Sequence, residues 1–215
     1  MIVADAYNKF RKSLLYIGCS NDKISFYRFQ NAFINTRNMV YLVNKLSTNS
    51  NCIGIDNCIT IMGNEINFNK FIDEKNYGNV KFEIHQNEFD NYRVLFFRRP
   101  SVGSEVISQL HLYNDEILYA RVAFDYQKIG DSYRKSIINQ LIKKYHLYKE
   151  VLVDNSVILQ DFNKNRLKII DDGKIILQYI SGNQKLINAF YFEASMERDY
   201  AFEEEQRQQM VADFI

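Results

Sequence analysis

The residues from Val122 to Ser132 carry the densest chemical signal in the chain. A strand-like run, Val122-Ala123-Phe124, gives way to the loop Asp125-Tyr126-Gln127-Lys128-Ile129-Gly130, and Asp131-Ser132 opens an apolar-periodic segment. Backbone amides freed at such a helix start bind phosphate oxygens. Asp131 puts a negative charge beside that position. The commoner use of these residue types is a polar turn in which Asp131 or Ser132 caps a core-packing helix. A second set is acidic: Asp161, then Asp172-Gly173-Lys174 one hairpin later. Carboxylates on neighbouring strands can hold Mg²⁺ while a lysine steadies the attacked phosphate. Asp-Gly is equally what a tight turn demands, and the turn explains both residues without a metal.

The strand, the Gln127-x-x-Gly130 loop and the helix resemble the pyrophosphate-binding loop of the acyl-CoA-dependent N-acetyltransferases. The resemblance implies cofactor contacts at Gln127, Gly130 and Ser132. It covers a short part of the chain, Ser132 replaces the family's Gly or Ala, and the family's later Asn and Tyr signature is not apparent after Val153. The Asp161 and Asp172-Gly173-Lys174 set resembles the acidic-x-Lys arrangement of restriction-endonuclease-like cores, which implies a metal-dependent nuclease.

Other reactive side chains lack a local signature. His85, His111 and His146 show no metal-ligand spacing, and Cys52-x5-Cys58 has no second cysteine pair or nearby histidine to complete four ligands. A nucleophilic Cys/His pair, drawn from Cys19, Cys52 or Cys58 with His85 or His111, could form only through the fold. Arg98-Arg99 precedes Pro100, at an expected strand end, where paired guanidiniums can grip phosphate or carboxylate.

Composition narrows the function classes. The chain has 215 residues, of which 47% are hydrophobic and 25% charged, which is globular and not disordered. It contains no Trp and one Pro against 15 Tyr and 16 Phe. With abundant Asn, Ile and Lys, this profile fits AT-rich coding DNA. The 27 basic and 26 acidic residues leave a net charge of +1, without the basic excess of a nucleic-acid binder. Three cysteines and a polar start without a signal-peptide pattern point to reduced thiols and a cytoplasmic location. No apolar run approaches the roughly 20 residues that span a bilayer.

Periodicity supplies the elements. Tyr7, Phe10, Leu14 and Ile17 predict one helix, and Phe26, Phe29, Phe33, Val40 and Val43 a second, ending before Ser47-Thr48-Asn49-Ser50-Asn51. Cys58 to Met62 and Glu65 to Phe68 predict a hairpin across Gly63-Asn64. Strands are expected around Val80 to Ile84, Tyr92 to Phe97, Val106 to Tyr113 and Ile117 to Phe124, the last two joined at Asn114-Asp115-Glu116. Ile137, Ile138, Leu141, Ile142 and Tyr145 predict a central helix. Val157 to Leu159, Leu167 to Ile170 and Ile175 to Ile180 form a meander, and Asn183 to Ile215 a terminal helix with Leu186, Ile187, Phe190 and Tyr191 inward.

The fold class is therefore α+β: a helical N-terminal portion (1–50), then a mainly antiparallel sheet with hairpins, one central amphipathic helix and a C-terminal helix (51–215), together one compact unit. The leading functional expectation is a non-enzymatic protein-interaction protein from an AT-rich mobile, phage or pathogen-associated locus, such as a toxin-neutralising or effector-associated protein. It takes a protein partner, with no cofactor, nucleic acid or membrane. Partner contacts are expected at Glu203, Glu204, Glu205 and Phe214 on the terminal helix and at Arg98 and Arg99. The acyl-CoA-dependent N-acyltransferase and the metal-dependent nuclease stand as alternatives.

Overall fold

Tight turns organise the sheet. At Asn114 and Asp115 both residues take positive φ, 52° and 61°. Two consecutive left-handed residues match the twist of an antiparallel hairpin, and they join β6 (Ser104–Tyr113) to β7 (Glu116–Phe124). The computed structural model describes residues 36–48, 51–65, 77, 80–85, 91–101, 104–124, 130–148 and 156–196. The expected Tyr7–Ile17 helix, the Phe26, Phe29 and Phe33 part of the second expected helix, Gln127, and the Glu203–Glu205 and Phe214 tail lie outside them.

The described chain begins with α1 (Thr36–Thr48), followed by the short strands β1 (Ile53–Gly54), β2 (Thr60–Ile61) and β3 (Asn64–Glu65). β4 (Val80–His85) and β5 (Tyr92–Ser101) precede β6 and β7. Helix α2 (Asp131–Tyr145) leads to β8 (Ser156–Gln160), β9 (Arg166–Asp171) and β10 (Ile175–Ile180), and α3 covers 184–196. The main sheet runs β1-β8-β9-β10-β7-β6-β5-β4. Two antiparallel meanders, β4 to β7 and β8 to β10, thus meet through the last strand of each, with α2 crossing between them. Only the β1–β8 pair is parallel among the described strands. The architecture is α+β.

Period-two alternation divides the core between the two faces of the sheet. Leu95 and Phe97 of β5 join the cluster under α2, with Ile137, Leu141 and Tyr145. Val94 and Phe96 face the other way, toward Met39, Val43 and Leu46 of α1 and Leu186, Ile187 and Phe190 of α3. Phe190, 1% exposed, sits with its ring centroid 5.8 Å from Tyr92 and 5.7 Å from Tyr113. Burying such a side chain is worth about 1.5–3 kcal/mol. Helix α1 therefore shares one core with the sheet and α3.

Four local expectations need correction. Ser47 and Thr48 belong to α1 rather than to a boundary loop, because both hydroxyls donate back to the Asn44 carbonyl within the last turn. The β2–β3 turn falls at Met62-Gly63, φ 51° and 92°, one residue earlier than Gly63-Asn64. β5 does not stop before Arg98-Arg99. It continues through Pro100 to Ser101, paired with β6. Among the described residues β4 pairs with β5 only up to Phe97, so the proline, which lacks an N–H, lies beyond that described ladder. Finally, neither Asp131 nor Ser132 caps α2. The cap is Gly130 at φ 100°, a backbone conformation suited to glycine, with no side-chain cap bond. Asp131 sits in the first turn, where its charge complements the positive end of the helix dipole and reaches Lys135 (2.9 Å) and Arg134 (3.6 Å).

Candidate binding cleft and the buried polar clusters

The turn between β8 and β9 is built on one carboxylate. Asp161, 3% exposed, accepts from the Ile59 amide (3.0 Å), the Asn165 amide (2.9 Å) and Asn165 Nδ2 (3.0 Å). The Asn165 Oδ1 then accepts from the Gly182 amide at 2.9 Å. A Cβ on Gly182 would press into Asn163, Lys164 and Asn165 backbone, so only glycine lets the two loops touch. Charge-assisted bonds of this kind are the strong ones, and they tie residues 59, 161–165 and 182 together.

Beside this hub lies a cleft of about 420 Å³, lined by Ser47, Lys164, Arg166, Ile180, Ser181 and Gln184 among others. Three elements converge there: the end of α1, the start of α3 and the hub turn. Arg166 is held in one orientation, Nε donating to Gln160 Oε1 (2.8 Å) and Nη1 to the Leu46 carbonyl at the end of α1 (2.7 Å). Asn183 caps α3, its Oδ1 accepting from the Lys185 and Leu186 amides at 3.2 and 3.3 Å.

A second buried polar cluster occupies the sheet face under α3. The Tyr92 hydroxyl and His111 Nδ1 are 2.6 Å apart, and His111 Nε2 is 3.4 Å from Gln109 Oε1. Burial, then the positive charge of Arg121, lowers the His111 pKa to about 3, so the ring is neutral at ordinary pH. Gln109, 1% exposed, has an amide nitrogen without a hydrogen-bond partner among the described residues. Gln109 faces Arg121 across β6 and β7, and Arg121 faces Gln178 across β7 and β10.

The candidates read from the sequence disperse. Gly130 and Ser132 are exposed at the start of α2. Asp131 already supplies the negative charge that the α2 amides favour. Asp161 and the Asp172–Lys174 turn lie at opposite ends of the six-residue β9, a separation of roughly 17–20 Å at about 3.3 Å per residue. They share no metal site, and the Asp161 oxygens are occupied by amides. His111 pairs with Tyr92 and Gln109, while Cys52 Sγ reaches Gln160 Oε1 at 3.7 Å, so these two are engaged elsewhere; Cys19 and the His85 side chain lie outside the described residues. No group of three or more His, Cys, Asp or Glu able to hold a metal occurs among the described residues.

The sequence alone does not single out Lys164, Arg166 or Ser181. The signal available was Asn163-Lys164-Asn165-Arg166, two cations set in a turn, followed by Ser181-Gly182-Asn183 at a helix start. Nothing in the sequence places those two segments side by side.

The outer side of the helical layer is apolar in places. Tyr41 on α1 is 65% exposed, and Phe192 and Met196 on α3 are 68% and 42% exposed. No described helix is long and apolar enough to cross a membrane. Comparison with family models, curated proteins and solved structures finds no match to the chain.

Proposed function

We propose that the protein is a non-enzymatic interaction module of the cytoplasm that docks a protein partner on the outward face of α3. The reading is carried by one observation: α3 has two apolar stripes. Leu186, Ile187, Phe190 and Ala194 are buried against the sheet. On the opposite side, by helical geometry, Ala189, Phe192 and Met196 recur at three- and four-residue steps. A helix whose work is confined to packing its own core needs the first stripe only. The partner is a surface with an apolar centre and a basic rim, because Glu203, Glu204 and Glu205 follow the exposed stripe in sequence and opposite charges fix register and speed encounter. A locus of the AT-rich mobile, phage or pathogen kind suits such a module.

Stoichiometric copurification from the native host, compared between wild type and Phe192→Ser, tests this. Phe192 is mostly exposed, so its replacement is expected to leave the melting temperature within a degree or two while capture of the partner falls at least tenfold. Neutralising Glu203–Glu205 to Gln is expected to flatten the salt dependence of binding. Equal capture by wild type and Phe192→Ser, or turnover of a small molecule by the free chain, overturns the reading.

A further inference from the structure

We propose that the flank of α1 turned away from α3, together with the neighbouring Lys168 of β9, docks an acidic peptide segment of a partner protein, its carboxylates bridging Lys45 and Lys168 beside the Tyr41 ring. Backbone pairing puts Lys168 in one row with Gln178 of β10 and Ile158 of β8, so the three side chains share a face of the sheet. That is the face on which α1 lies, because Arg166, two residues earlier on β9, donates to the Leu46 carbonyl at the end of α1. Lys45 precedes Leu46, and its ammonium stands 5.7 Å from the centroid of the Tyr41 ring, one turn back on the helix. Ser47 is the residue that reaches α3, its hydroxyl 3.4 Å from that of Tyr191. Lys45 lies roughly 160° around α1 from Ser47 by helical geometry. The surface is therefore separate from the exposed stripe of α3.

The two lysines lack a counter-charge. Helix α1, β8 and β10 contain no Asp or Glu. The one acid of β9, Asp171, alternates to the other face, where it accepts from Arg134 of α2 at 2.8 Å. Neither lysine ammonium has an ion pair or hydrogen bond among the described residues. Lys168 is half-buried, and burial, then the positive charge of Lys45, lowers its pKa. Two like charges held together, one of them partly out of water, disfavour each other, and a carboxylate arriving between them relieves both. Complementary charge of this kind steers encounter and fixes register. Tyr41, 65% exposed, adds a rigid aromatic surface with a polar tip. An acidic peptide fits better than a nucleic acid, because two lysines cannot supply the run of phosphate contacts on which that binding rests.

NMR titration of the full chain with tetraglutamate at low salt, following backbone amides and lysine side chains, tests the surface. Saturable shifts are expected at Tyr41, Lys45 and Lys168, and they are expected to vanish on raising the salt. Lys45→Gln and Lys168→Gln should each weaken the apparent Kd by about threefold or more, the range of single exposed ion pairs. Lys45 is exposed, so Lys45→Gln stays folded and decides the outcome even where Lys168→Gln does not fold. In Lys45→Gln the Lys168 pKa should also rise, which a merely structural lysine pair without mutual repulsion would not show. Lys185→Gln, an exposed lysine of α3, should bind as wild type does. Shifts that never saturate, that spread over every exposed lysine, or that are equal in Lys45→Gln overturn the proposal. Tighter binding of a single-stranded oligonucleotide of equal charge at the same residues overturns the choice of an acidic peptide. Phe192→Ser should not alter these shifts, so failure here is distinct from failure of partner docking on α3.

Discussion

The two buried polar clusters solve one problem in opposite ways. At the β8–β9 turn, a carboxylate and an amide meet three backbone amides, and the Asp161 and Asn165 side chains have their bonds within 3.0 Å. On the sheet face, Tyr92 and His111 make one short bond, the next link is 3.4 Å, and the Gln109 amide nitrogen is left over among the described residues. The first cluster joins segments distant in sequence, so losing it loosens the end of the sheet. The second joins side chains on β5 and β6, whose backbones are already paired. Buried polar groups therefore differ in structural weight according to how many otherwise independent segments they connect, not according to how deeply they lie.

Replacing the hub carboxylate is the strongest way to break that comparison. Asp161→Ala orphans the Ile59 and Asn165 amides and Asn165 Nδ2 in a buried site, at about 1–3 kcal/mol for each unsatisfied donor. Some relaxation and water entry follow, and the expected loss of stability is about 3–5 kcal/mol, read by urea unfolding. The β8–β9 turn and the start of α3 are expected to lose amide-exchange protection first. A cost below about 1 kcal/mol would show that the hub connects nothing the hydrophobic core does not already hold.

Acid probes the other cluster. The His111 pKa is about 3 in the folded chain, against about 6.5 when unfolded. Between those values the unfolded state binds a proton that the folded state refuses, so stability falls as pH drops from about 6.5 toward 3. The slope is up to about 1.4 kcal/mol per pH unit, and the contribution levels off above about pH 7.5. From pH 7 to pH 5 the wild type is expected to lose about 2 kcal/mol more than His111→Asn, which cannot titrate there. Parallel pH profiles for the two proteins would mean that the imidazole is not held neutral by its burial.

The sequence made the sheet legible and left both polar clusters obscure. Strand and hairpin signals such as Asn114-Asp115 and Asp172-Gly173 are local, because positive φ and alternation are decided within a few residues. The missed strand extension through Pro100 depends on where β4 stops, which is a tertiary fact. Asp161 stands out in the sequence for its charge, yet its role requires Ile59 and Asn165 to arrive from either side. His111 looked like any histidine in an alternating strand, since nothing in its neighbourhood announces Tyr92 across the ladder. The cleft was least legible of all, for Ser47, Arg166 and Ser181 come from three separate segments of the chain.

The smallest expected effect makes the sharpest contrast, because one chemical change can be made in both clusters. Asn165→Leu and Gln109→Leu each exchange a buried amide for an alkyl group of similar bulk. At Asn165 the change removes the bond to Asp161 and the acceptor for the Gly182 amide, leaving polar groups of the hub unsatisfied, at about 2–4 kcal/mol. At Gln109 it removes an amide nitrogen that lacks a partner among the described residues and a single long contact to His111, while adding apolar burial in the sheet. Lost polar contact and gained burial nearly cancel there, so Gln109→Leu is expected to lie within about 1 kcal/mol of wild type. Equal costs for the two variants, measured by urea unfolding under one condition, would mean that Gln109 is as firmly bonded as Asn165 and that depth alone sets the weight of a buried polar group.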